Sequence, residues 1–359
     1  MAKVLLLGGT GAIGVYLQDE LVNLGHVVVV TSRINRESGA VRFVQGNAKN
    51  IAFLCKLLNE EHPDVIIDFM KYGTVEFPVF RDIFLKNAQQ YVFLSSYRVF
   101  ANEKPLVETS ARLLETCDDL EYLMTDEYAL FKAREEDALR NSKKQNWTIV
   151  RPSITYSKER FQFGCLEADT VCFRALRGLP VVIPQEMLDI QATLTWGKDV
   201  AVMISRLVLN PMAYGEDFNV STSETHSWRE IAAIYQDVLG MRVVEVSLDW
   251  YCQLCNRYQV YYDRMVNRIV DNRKVLAATG MSQTDLAPLS VALREELNRF
   301  KICPVYKQMN VLQNALMDRV CGSRIPMSDL SFRDRLRYFR IRYPVVNSMM
   351  SRLNFKLFA

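Results

Sequence analysis

Tyr128 and Lys132 place a phenol and an ammonium group one helical turn apart, on the same face of a predicted helix. A cation held at that distance stabilises a phenolate, so the phenol can act as an acid or a base near neutral pH. By itself the spacing Tyr-x-x-x-Lys is common by chance and also fits a solvated helix face. Its interpretation depends on what else the chain brings to the same place.

Residues 8–14, GGTGAIG, follow directly on the strand-like run Lys3–Leu7. A helical pattern comes next and ends at Gly25. Its apolar positions, at three- and four-residue spacing, are Ile13, Leu17, Leu21 and Leu24. A turn without side chains lets backbone N–H groups approach a pyrophosphate at the start of a helix. A plain tight turn is the alternative, but the strand before it and the helix after it favour dinucleotide binding.

Ser95 and Ser96 come directly after another predicted strand, YVFL at residues 91–94. Doubly wound sheets bind their ligands at the carboxyl ends of the strands, so this position is suited to a substrate. We expect Ser96 to hydrogen-bond the oxygen that Tyr128 protonates, and Lys132 to hold ribose hydroxyls as well.

The elements that must position these residues alternate strand and helix along the first half of the chain. After Lys3–Leu7 the predicted strands are Val27–Val30, Val41–Val44, Asp64–Phe69, Tyr91–Leu94 and Thr148–Val150. Predicted helices between them include one with Ile51, Leu54, Cys55 and Leu58 on one face, and one over residues 126–141. This alternation predicts an α/β fold: a Rossmann-type doubly wound parallel sheet with a smaller, mostly helical C-terminal domain.

The predicted domain boundaries follow the point where this alternation loosens, after Pro152. Residues 1–152 form the dinucleotide-binding domain, and residues 193–222 return to it through a helix at Asp199–Leu209 and a strand at Phe218–Val220. Residues 153–192 and 223–329 are predicted to form the substrate-binding domain. Residues 330–359 form a basic, amphipathic extension.

Composition excludes several function classes. The chain has 359 residues, 49% hydrophobic residues and 24% charged residues, as expected of a globular protein. A net charge of +3 is too small to argue for nucleic acid as a partner. The start at Met1-Ala2-Lys3 leads straight into a strand, and no apolar run approaches the ~18 residues of a membrane helix. We therefore expect a cytoplasmic protein.

A metal site is not expected. Cys252-x-x-Cys255 is the only close pair among eight scattered cysteines, and it lacks a second pair or a neighbouring histidine. Structural thiols on one helix are favoured over a zinc site. With only His26, His62 and His226 in the chain, a serine–histidine relay is also disfavoured.

Seven blocks of sequence, in order over residues 1 to 240, together resemble the extended short-chain dehydrogenase/reductase superfamily. The blocks are GGTGAIG, FVQGN, YVFLSSYRVF, YALFK, IVRPSITYS, KDVAVMI and DFNVSTSETHSWREIA. Members of this superfamily include nucleotide-sugar epimerases, dehydratases and ketoreductases. The resemblance implies a catalytic set of Ser96, Tyr128 and Lys132. It also implies that the cofactor is held by Gly8, Thr10, Gly11, Ala12, Ile13, Gly14, Ser32, Arg33, Asn47, Lys132 and Pro152.

Departures from the family pattern refine the expected cofactor. Relatives that prefer NAD place a carboxylate at the end of the second strand, where this chain has Thr31-Ser32-Arg33. Arginine beside small hydroxyls suits a 2′-phosphate, so NADP(H) is favoured over NAD(H). The alternative is that Arg33 stacks on the adenine of either cofactor. The family's glycine–aspartate after the third strand is Gly46-Asn47 here, and an amide can still meet the adenine edge.

Other departures concern the reaction. Sugar 4,6-dehydratases of this superfamily resemble one another in an Asp-Glu pair directly after the serine or threonine, and here Tyr97-Arg98 disfavours that reaction. The segment Asp68–Tyr72 replaces the usual small residues and is similar to a subgroup related to chloroplast stem-loop-binding proteins. Some members of that subgroup lack catalytic residues. This chain keeps Ser96, Tyr128 and Lys132, which favours an enzyme.

The C-terminal extension has two apolar stripes separated by Pro344, and the first is surrounded by arginines. The first stripe is Phe332, Leu336, Phe339 and Tyr343, and the second is Val346, Met349, Met350, Leu353 and Leu357. Helices packing on the core or on a sister subunit are favoured. The alternative is a peripheral membrane contact that serves a lipid-linked sugar.

The resulting hypothesis is an NADP(H)-dependent oxidoreductase that acts at a sugar carbon, C4 of a nucleotide-activated or lipid-linked sugar. Tyr128 is the acid/base, Lys132 tunes it and binds ribose, and Ser96 orients the reacting oxygen. The same three residues serve a ketoreductase and an NAD(P)-dependent C4 epimerase. Arg33, which suits NADP(H), slightly favours the ketoreductase. A non-catalytic cofactor- or RNA-binding protein is the second alternative. We expect a homodimer and no nucleic-acid partner.

Overall fold

A computed structural model describes residues 1–37 and 39–343. The chain forms two compact units. The first contains residues 1–160, 191–225 and 267–292, and the second contains residues 161–190, 226–266 and, among those described, 293–343. Residues 267–292, expected in the substrate-binding domain, belong to the first unit.

The strands are β1 (Lys3–Leu7), β2 (Val27–Ser32), β3 (Arg42–Gln45), β4 (Val65–Asp68), β5 (Gln90–Leu94), β6 (Trp147–Val150), β7 (Ile154–Tyr156), β8 (Gln162–Phe163), β9 (Leu166–Glu167), β10 (Val181–Pro184), β11 (Gln191–Ala192), β12 (Leu194–Trp196), β13 (Glu216–Phe218), β14 (His226–Ser227) and β15 (Val243–Val246). In the described part of the chain, seven of them form one parallel sheet in the order β13-β6-β5-β4-β1-β2-β3. This architecture confirms the predicted doubly wound α/β fold.

The helices are α1 (Gly14–Asn23), α2 (Ile51–Glu61), α3 (Phe77–Asn87), α4 (Leu113–Thr116), α5 (Leu120–Leu123), α6 (Tyr128–Arg140), α7 (Ala168–Ala175), α8 (Gly197–Leu207), α9 (Trp228–Leu239), α10 (Leu248–Tyr251), α11 (Arg257–Gln259), α12 (Arg273–Thr279), α13 (Leu289–Ile302), α14 (Val311–Cys321) and α15 (Phe332–Arg342). A π-helical turn spans Val260–Arg264. Short 3₁₀ turns include Tyr97–Val99, directly after β5.

The inner strands of the sheet, such as β1 and β4, are largely apolar runs and are buried on both faces, whereas the edge strands β3 and β13 carry exposed residues. In β1, Val4 and Leu6 pack into one core with α1 and α8. Leu5 and Leu7 face the opposite core, with α2 and α3. Successive side chains of a strand point to opposite faces, so one short run supplies both cores.

Some predicted positions differ from the structure at the ends of elements. Leu24, expected on the buried face of α1, is 53% exposed, because α1 ends at Asn23 and Gly25 turns away with φ +80°. Ile51 is 45% exposed at the first turn of α2, whose buried face uses Leu57 instead. The strand predicted at Phe218–Val220 is β13, Glu216–Phe218.

The strand order reverses at β1, so that β2 and β4 lie on opposite sides of it. From β1 it moves outward through β2 and β3, and it then returns to β4 on the other side of β1. At such a switch point the loops after the two central strands diverge and leave a crevice at their carboxyl ends. The glycine segment follows β1 and the segment Phe69–Gly73 follows β4, so both border this crevice.

The second unit is mainly helical, with a short parallel pair, β10–β15, and an antiparallel pair, β8–β9. Arg174 of α7 is fully buried and donates to Asp318 Oδ1 of α14 at 2.8 Å. Burial acts to raise the pKa of Asp318, but Arg174 and the hydroxyls of Ser323 and Tyr338 bring it below its usual value. A buried ion pair thus joins α7 to α14.

Helix α15 packs against α14 through Tyr338, which is fully buried and donates to Asp318 Oδ2 at 2.7 Å. The predicted stripe is wrong at Phe332 and Tyr343, which are 76% and 40% exposed, because the helix turns Tyr338 to the core. Arg335 and Arg342 donate to backbone carbonyls of the second unit. The second predicted stripe, from Val346 onward, lies outside the described residues.

Two further observations concern the described residues. They contain no helix that is both long and apolar enough to cross a lipid bilayer. They also contain no group of three or more His, Cys, Asp or Glu side chains arranged to hold a metal ion. Cys252 and Cys255 are free thiols of intermediate exposure.

Candidate active site

The glycine segment between β1 and α1 is shaped by missing side chains. Gly8 has φ +72°, a conformation that favours glycine. A Cβ at Gly14 would lie 2.2 Å from the carbonyl oxygen of Gly9, so α1 can approach the loop only without a side chain there. A Cβ at Gly11 would meet no atom within 4 Å. The segment therefore packs closely at Gly14 and leaves open space at Gly11.

Two side chains from neighbouring elements hold this segment in place. Thr31 Oγ1, at the end of β2, accepts a hydrogen bond from the Gly8 N–H at 3.0 Å. Gln18 of α1 donates through Nε2 to the Gly9 carbonyl at 2.6 Å. The predicted residues Thr10, Ala12 and Ile13 lie in the turn between them. Hydrogen bonds within the protein thus support the backbone of this loop at Gly8 and Gly9.

The predicted adenine end of the site lies after β2 and β3. Ser32 is buried, and its Oγ accepts the Ile34 N–H at 3.3 Å. Arg33 is exposed. Asn47 uses Oδ1 to accept the Lys49 N–H at 3.0 Å, which leaves its amide NH₂ to meet a ligand. Ser32 and Asn47 are therefore held by turns of their own backbone, whereas Arg33 extends into solvent.

Arg98 connects Ser96 with Tyr128. Its backbone N–H donates to Ser96 Oγ at 3.2 Å, and its guanidinium carbon lies 5.0 Å from the centroid of the Tyr128 ring. The guanidinium also donates to Glu127 Oε1 at 2.7 Å. Glu127 is the N-cap of α6 and accepts the Ala129 N–H at 2.8 Å. One arginine thus ties the turn after β5 to the first turn of the helix that bears the tyrosine.

Lys132 lies on α6 one turn beyond Tyr128, and its side chain is 2% exposed. Its Nζ stands 3.0 Å from Glu135 Oε2 and 4.3 Å from the centroid of the Phe93 ring. Glu135 can engage only part of the three N–H donors of the ammonium, and no other acceptor is recorded for them in the described part of the chain. Buried donors that remain without a partner suit a ligand that brings hydroxyl oxygens.

Asp68 ends β4 beneath the segment Phe69–Gly73. It accepts hydrogen bonds from the Met70 N–H at 2.9 Å, the Tyr72 hydroxyl at 3.3 Å and the Tyr91 hydroxyl at 2.8 Å. Burial raises the pKa of Asp68 to about 6, against the opposing effect of these donors and of Lys132. Burial likewise raises the pKa of Glu135, whose Oε1 accepts the Gly73 N–H at 3.1 Å.

The strand ends beneath Ser96 are fixed by a buried ion pair. Arg151 binds Glu136 of α6 at two points, at 2.7 and 2.8 Å, and both side chains are fully buried. Burial opposes ionisation of Glu136, but Arg151 lowers its pKa below the usual value. Ser95 donates to the same carboxylate at 2.5 Å, and the Pro152 carbonyl accepts the Tyr97 N–H at 3.2 Å. These contacts set the backbone that presents Ser96.

Within the first unit, the glycine segment follows β1 and Ser96 follows β5, on either side of β4, and Arg98 links the turn with Ser96 to Tyr128 at the start of α6. Four side chains that sequence reasoning did not assign to the site also act on its members. Lys71 and Arg98 lie against the Tyr128 ring, Glu135 pairs with Lys132, and Asp68 interacts electrostatically with Lys132. For Asp68 and Lys71, the only indication in the sequence was that the segment Asp68–Tyr72 replaces the small residues usual in the family. Nothing local to Arg98 or Glu135 indicates their contacts.

The residues present fit a nicotinamide dinucleotide. The space at Gly11 and the close packing at Gly14 match a loop that admits a pyrophosphate against its backbone. The unsatisfied donors of Lys132 match ribose hydroxyls. In contrast, Tyr97 is 2% exposed and Arg98 is engaged with Glu127, so neither can replace the acidic pair of a 4,6-dehydratase.

Comparison with known proteins agrees with this architecture. Residues 4–78 match the model of the NAD dependent epimerase/dehydratase family. The chain is 26% identical, over 237 residues, to the chloroplast stem-loop binding protein of 41 kDa b of Arabidopsis thaliana. That match covers 61% of this chain and 58% of the relative, so it spans little more than half of the relative's length.

Solved structures share the fold. The Bordetella bronchiseptica enzyme WbmH, in complex with NAD⁺, has a TM-score of 0.64 and 15% identity, with 85% of this chain and 100% of that chain covered. The UDP-glucose 4-epimerase of Thermotoga maritima, with UDP-glucose, has a TM-score of 0.60 and 15% identity, with 84% and 99% covered. At such identities the likeness shows the fold alone.

Proposed function

We propose that this chain, which belongs to the extended short-chain dehydrogenase/reductase superfamily, is an NADP(H)-dependent oxidoreductase that transfers hydride at C4 of a nucleotide-activated sugar. The observation that carries the proposal is the contact of Arg98 with both Ser96 and Tyr128. It holds a hydroxyl and a phenol together at the strand ends where a ligand of this fold binds.

The chain's own residues have distinct roles in this reaction. Tyr128 gives a proton to, or takes it from, the oxygen on the reacting carbon. Ser96 accepts the Arg98 N–H, so its own O–H remains to orient that oxygen. Lys132 would hold the ribose hydroxyls of the dinucleotide, and Gly8–Gly14 its pyrophosphate. The bound nicotinamide supplies or accepts the hydride.

The preference for NADP(H) is supported by Arg33, which is exposed directly after β2. A guanidinium there can form charge-assisted hydrogen bonds with a 2′-phosphate. Relatives such as WbmH are described in complex with NAD⁺, so a C4 epimerase that retains NAD is the alternative within the same chemistry. A ketoreductase releases its oxidised cofactor in every turnover, whereas an epimerase keeps the cofactor bound.

The test is mass spectrometry of the ligand released when freshly purified protein is denatured, followed by titration of the emptied protein with NADPH and NADH. Uptake of NADPH and hydride transfer to a 4-keto nucleotide sugar, followed by NADPH absorbance, are the expected results. Tightly retained NAD with interconversion of two C4 epimers would replace the reductase by the epimerase. Failure to bind any dinucleotide would reject both.

One observation favours a different class of function. The curated relative from Arabidopsis is named for binding a stem-loop, and the chain could share a non-catalytic or RNA-binding role. Retention of Ser96, Tyr128 and Lys132 weighs towards an enzyme. An electrophoretic shift of a stem-loop RNA by the purified protein, together with absence of turnover, would favour the second role.

The carrier of the sugar, a homodimer and a membrane contact through residues 330–359 remain predictions. Of that extension, the part up to Tyr343 is described, and α15 packs within its own unit. Flotation with liposomes, for the full chain and for a chain ending at residue 329, tests the membrane contact. Light scattering of the full chain tests the dimer.

A further inference from the structure

Tyr128 is flanked by two cations. The Lys71 Nζ lies 5.0 Å from the centroid of its ring, and the Arg98 guanidinium carbon lies at the same distance. The proposed proton transfer uses Ser96 and Lys132 and does not require Lys71. A charged side chain brought to the reacting group without a role in the chemistry points to a role in recognition.

Lys71 is positioned by a loop that is anchored on both sides. Before it, Met70 donates its N–H to Asp68, and after it, Gly73 donates its N–H to Glu135 at 3.1 Å. Thr74 adds a side-chain hydrogen bond to Asp126 at 2.5 Å. Because these anchors fix the backbone around residue 71, the direction of the lysine is set by the fold.

The positive charge of Lys71 is not balanced. Lys71 is exposed, and it has no ion-pair partner in the described part of the chain. The acids at the start of α6 are already used, since Glu127 pairs with Arg98 at 2.7 Å and Asp126 with Arg134 at 3.4 Å. The neighbourhood of Tyr128 therefore has an excess of one positive charge, carried by an exposed ammonium.

We infer that Lys71, beside Arg98, recognises a carboxylate on the reacting sugar ring, so that the substrate is a nucleotide-linked uronic acid. This inference rests on the proposed function. In a hexopyranose, C4 and C6 are both attached to C5, so a C6 carboxylate lies next to the C4 oxygen that Tyr128 contacts. The anomeric phosphate, at C1, is at the opposite end of the ring. A phosphate of the cofactor is the competing source of negative charge, because Met70, next to Lys71, lies against Gly8.

The test compares UDP-glucuronic acid with UDP-glucose, which differ only at C6, in calorimetry on protein saturated with its dinucleotide. The variants are Lys71→Met, which removes the charge, and Lys71→Arg, which keeps it. Lys56→Met, on an exposed lysine of α2, is the matched control. Arg98 is left unchanged, because its removal would leave Glu127 without a countercharge.

Wild type should bind the uronic acid roughly 10- to 100-fold more tightly than the neutral sugar, the range expected for a charge-assisted contact. Lys71→Met should bring that ratio close to one, while Lys71→Arg and Lys56→Met should keep most of it. Equal affinity of wild type for the two probes, or binding of neither by the dinucleotide-loaded protein, overturns the inference. A loss of dinucleotide affinity in Lys71→Met with an unchanged sugar ratio assigns Lys71 to the cofactor and also overturns it. Failure of wild type to bind any dinucleotide rejects the proposed function instead.

Discussion

The two sides of the candidate site are built in different ways. After β1, the loop of residues 8–14 is shaped by absent side chains, and its supports come from Gln18 and Thr31 nearby in the chain. After β4 and β5, the site is held by buried or half-buried charges from distant segments, such as Arg98 with Glu127 and Glu135 with Gly73. In the proposed function, the first side binds the cofactor and the charges of the second side act on the proton transfer. Substitutions should therefore separate binding from chemistry.

The largest effect is expected from Gly11→Val. A Cβ there meets no atom within 4 Å, so the fold should persist while the branched side chain fills the space of the pyrophosphate. Calorimetry should detect no binding of NADPH or NADH, and the melting temperature should stay near that of wild type. Gly14→Val is the contrast, because its side chain would collide with the Gly9 backbone and destabilise the fold itself. Unchanged NADPH affinity in Gly11→Val would reject the phosphate-loop assignment.

Tyr128→Phe tests the other side of the comparison, because it removes only the phenolic oxygen. Turnover of the true substrate should fall by at least ~10²–10⁴-fold, the contribution of general acid/base catalysis. Fold and cofactor affinity should remain, and Tyr214→Phe, in the same unit, should behave as wild type. If Tyr128→Phe kept near-full activity, a non-catalytic role would be the better interpretation.

Lys132→Met should reduce both the stability of the protein and its affinity for the cofactor. It leaves Glu135 buried without its countercharge, which costs about 3–5 kcal/mol of stability at pH 8 by analogy with other buried pairs. The double variant Lys132→Met/Glu135→Gln should recover most of that stability in urea denaturation. Cofactor affinity should stay reduced in both variants, because the ribose contact is lost in each. Full recovery of affinity in the double variant would show that Lys132 has only a structural role.

Sequence patterns could predict the first side because its determinants are consecutive. The GGTGAIG segment, the strand before it and the helix after it lie within residues 3–23, and local periodicity is enough to recognise them. The burial of Leu24 was predicted wrongly because apolar spacing does not show at which residue a helix ends, and α1 ends at Asn23.

The second side could be predicted only in part. Spacing and a place after a strand pointed to Ser96, Tyr128 and Lys132, whose catalytic role stays a prediction, but they did not point to the partners that these residues have in the structure. The sequence around Glu135 gives no sign of its pairing with Lys132, and Arg98 was noted only because it stands where the dehydratases have an acidic residue. Their contacts join segments 29 to 62 residues apart, and no periodicity in the sequence records such a pairing.

Asp68 gives this side of the site a dependence on pH. Its pKa is about 6 in the folded protein against an ordinary value of 3.8. Between these values the folded state binds more protons than the unfolded state, so the free energy of unfolding falls as pH rises from about 4 to about 6. The loss should be about 3 kcal/mol, since one pKa unit corresponds to about 1.4 kcal/mol.

The variant Asp68→Asn should lack this decline, because a carboxamide can still accept the Met70 N–H but does not ionise. Urea denaturation at pH 4, 5, 6 and 7 should show the stability of the variant rising relative to wild type by about that amount. Parallel curves for the two proteins would mean that Asp68 ionises normally in the fold.

The smallest expected effect lies at the exposed end of the binding side, at Arg33. Because this side is shaped mainly by the backbone, a single surface charge should change the choice between cofactors and leave their common binding intact. Arg33→Ala should weaken NADPH by ~1.5–3 kcal/mol, the scale of hydrogen bonds to charged groups, with little effect on NADH. Titration of both cofactors by calorimetry measures this difference, with NADH as the internal control. Equal losses of affinity for NADPH and NADH would show that Arg33 stacks on adenine. Any preference for the 2′-phosphate would then have to come from other residues.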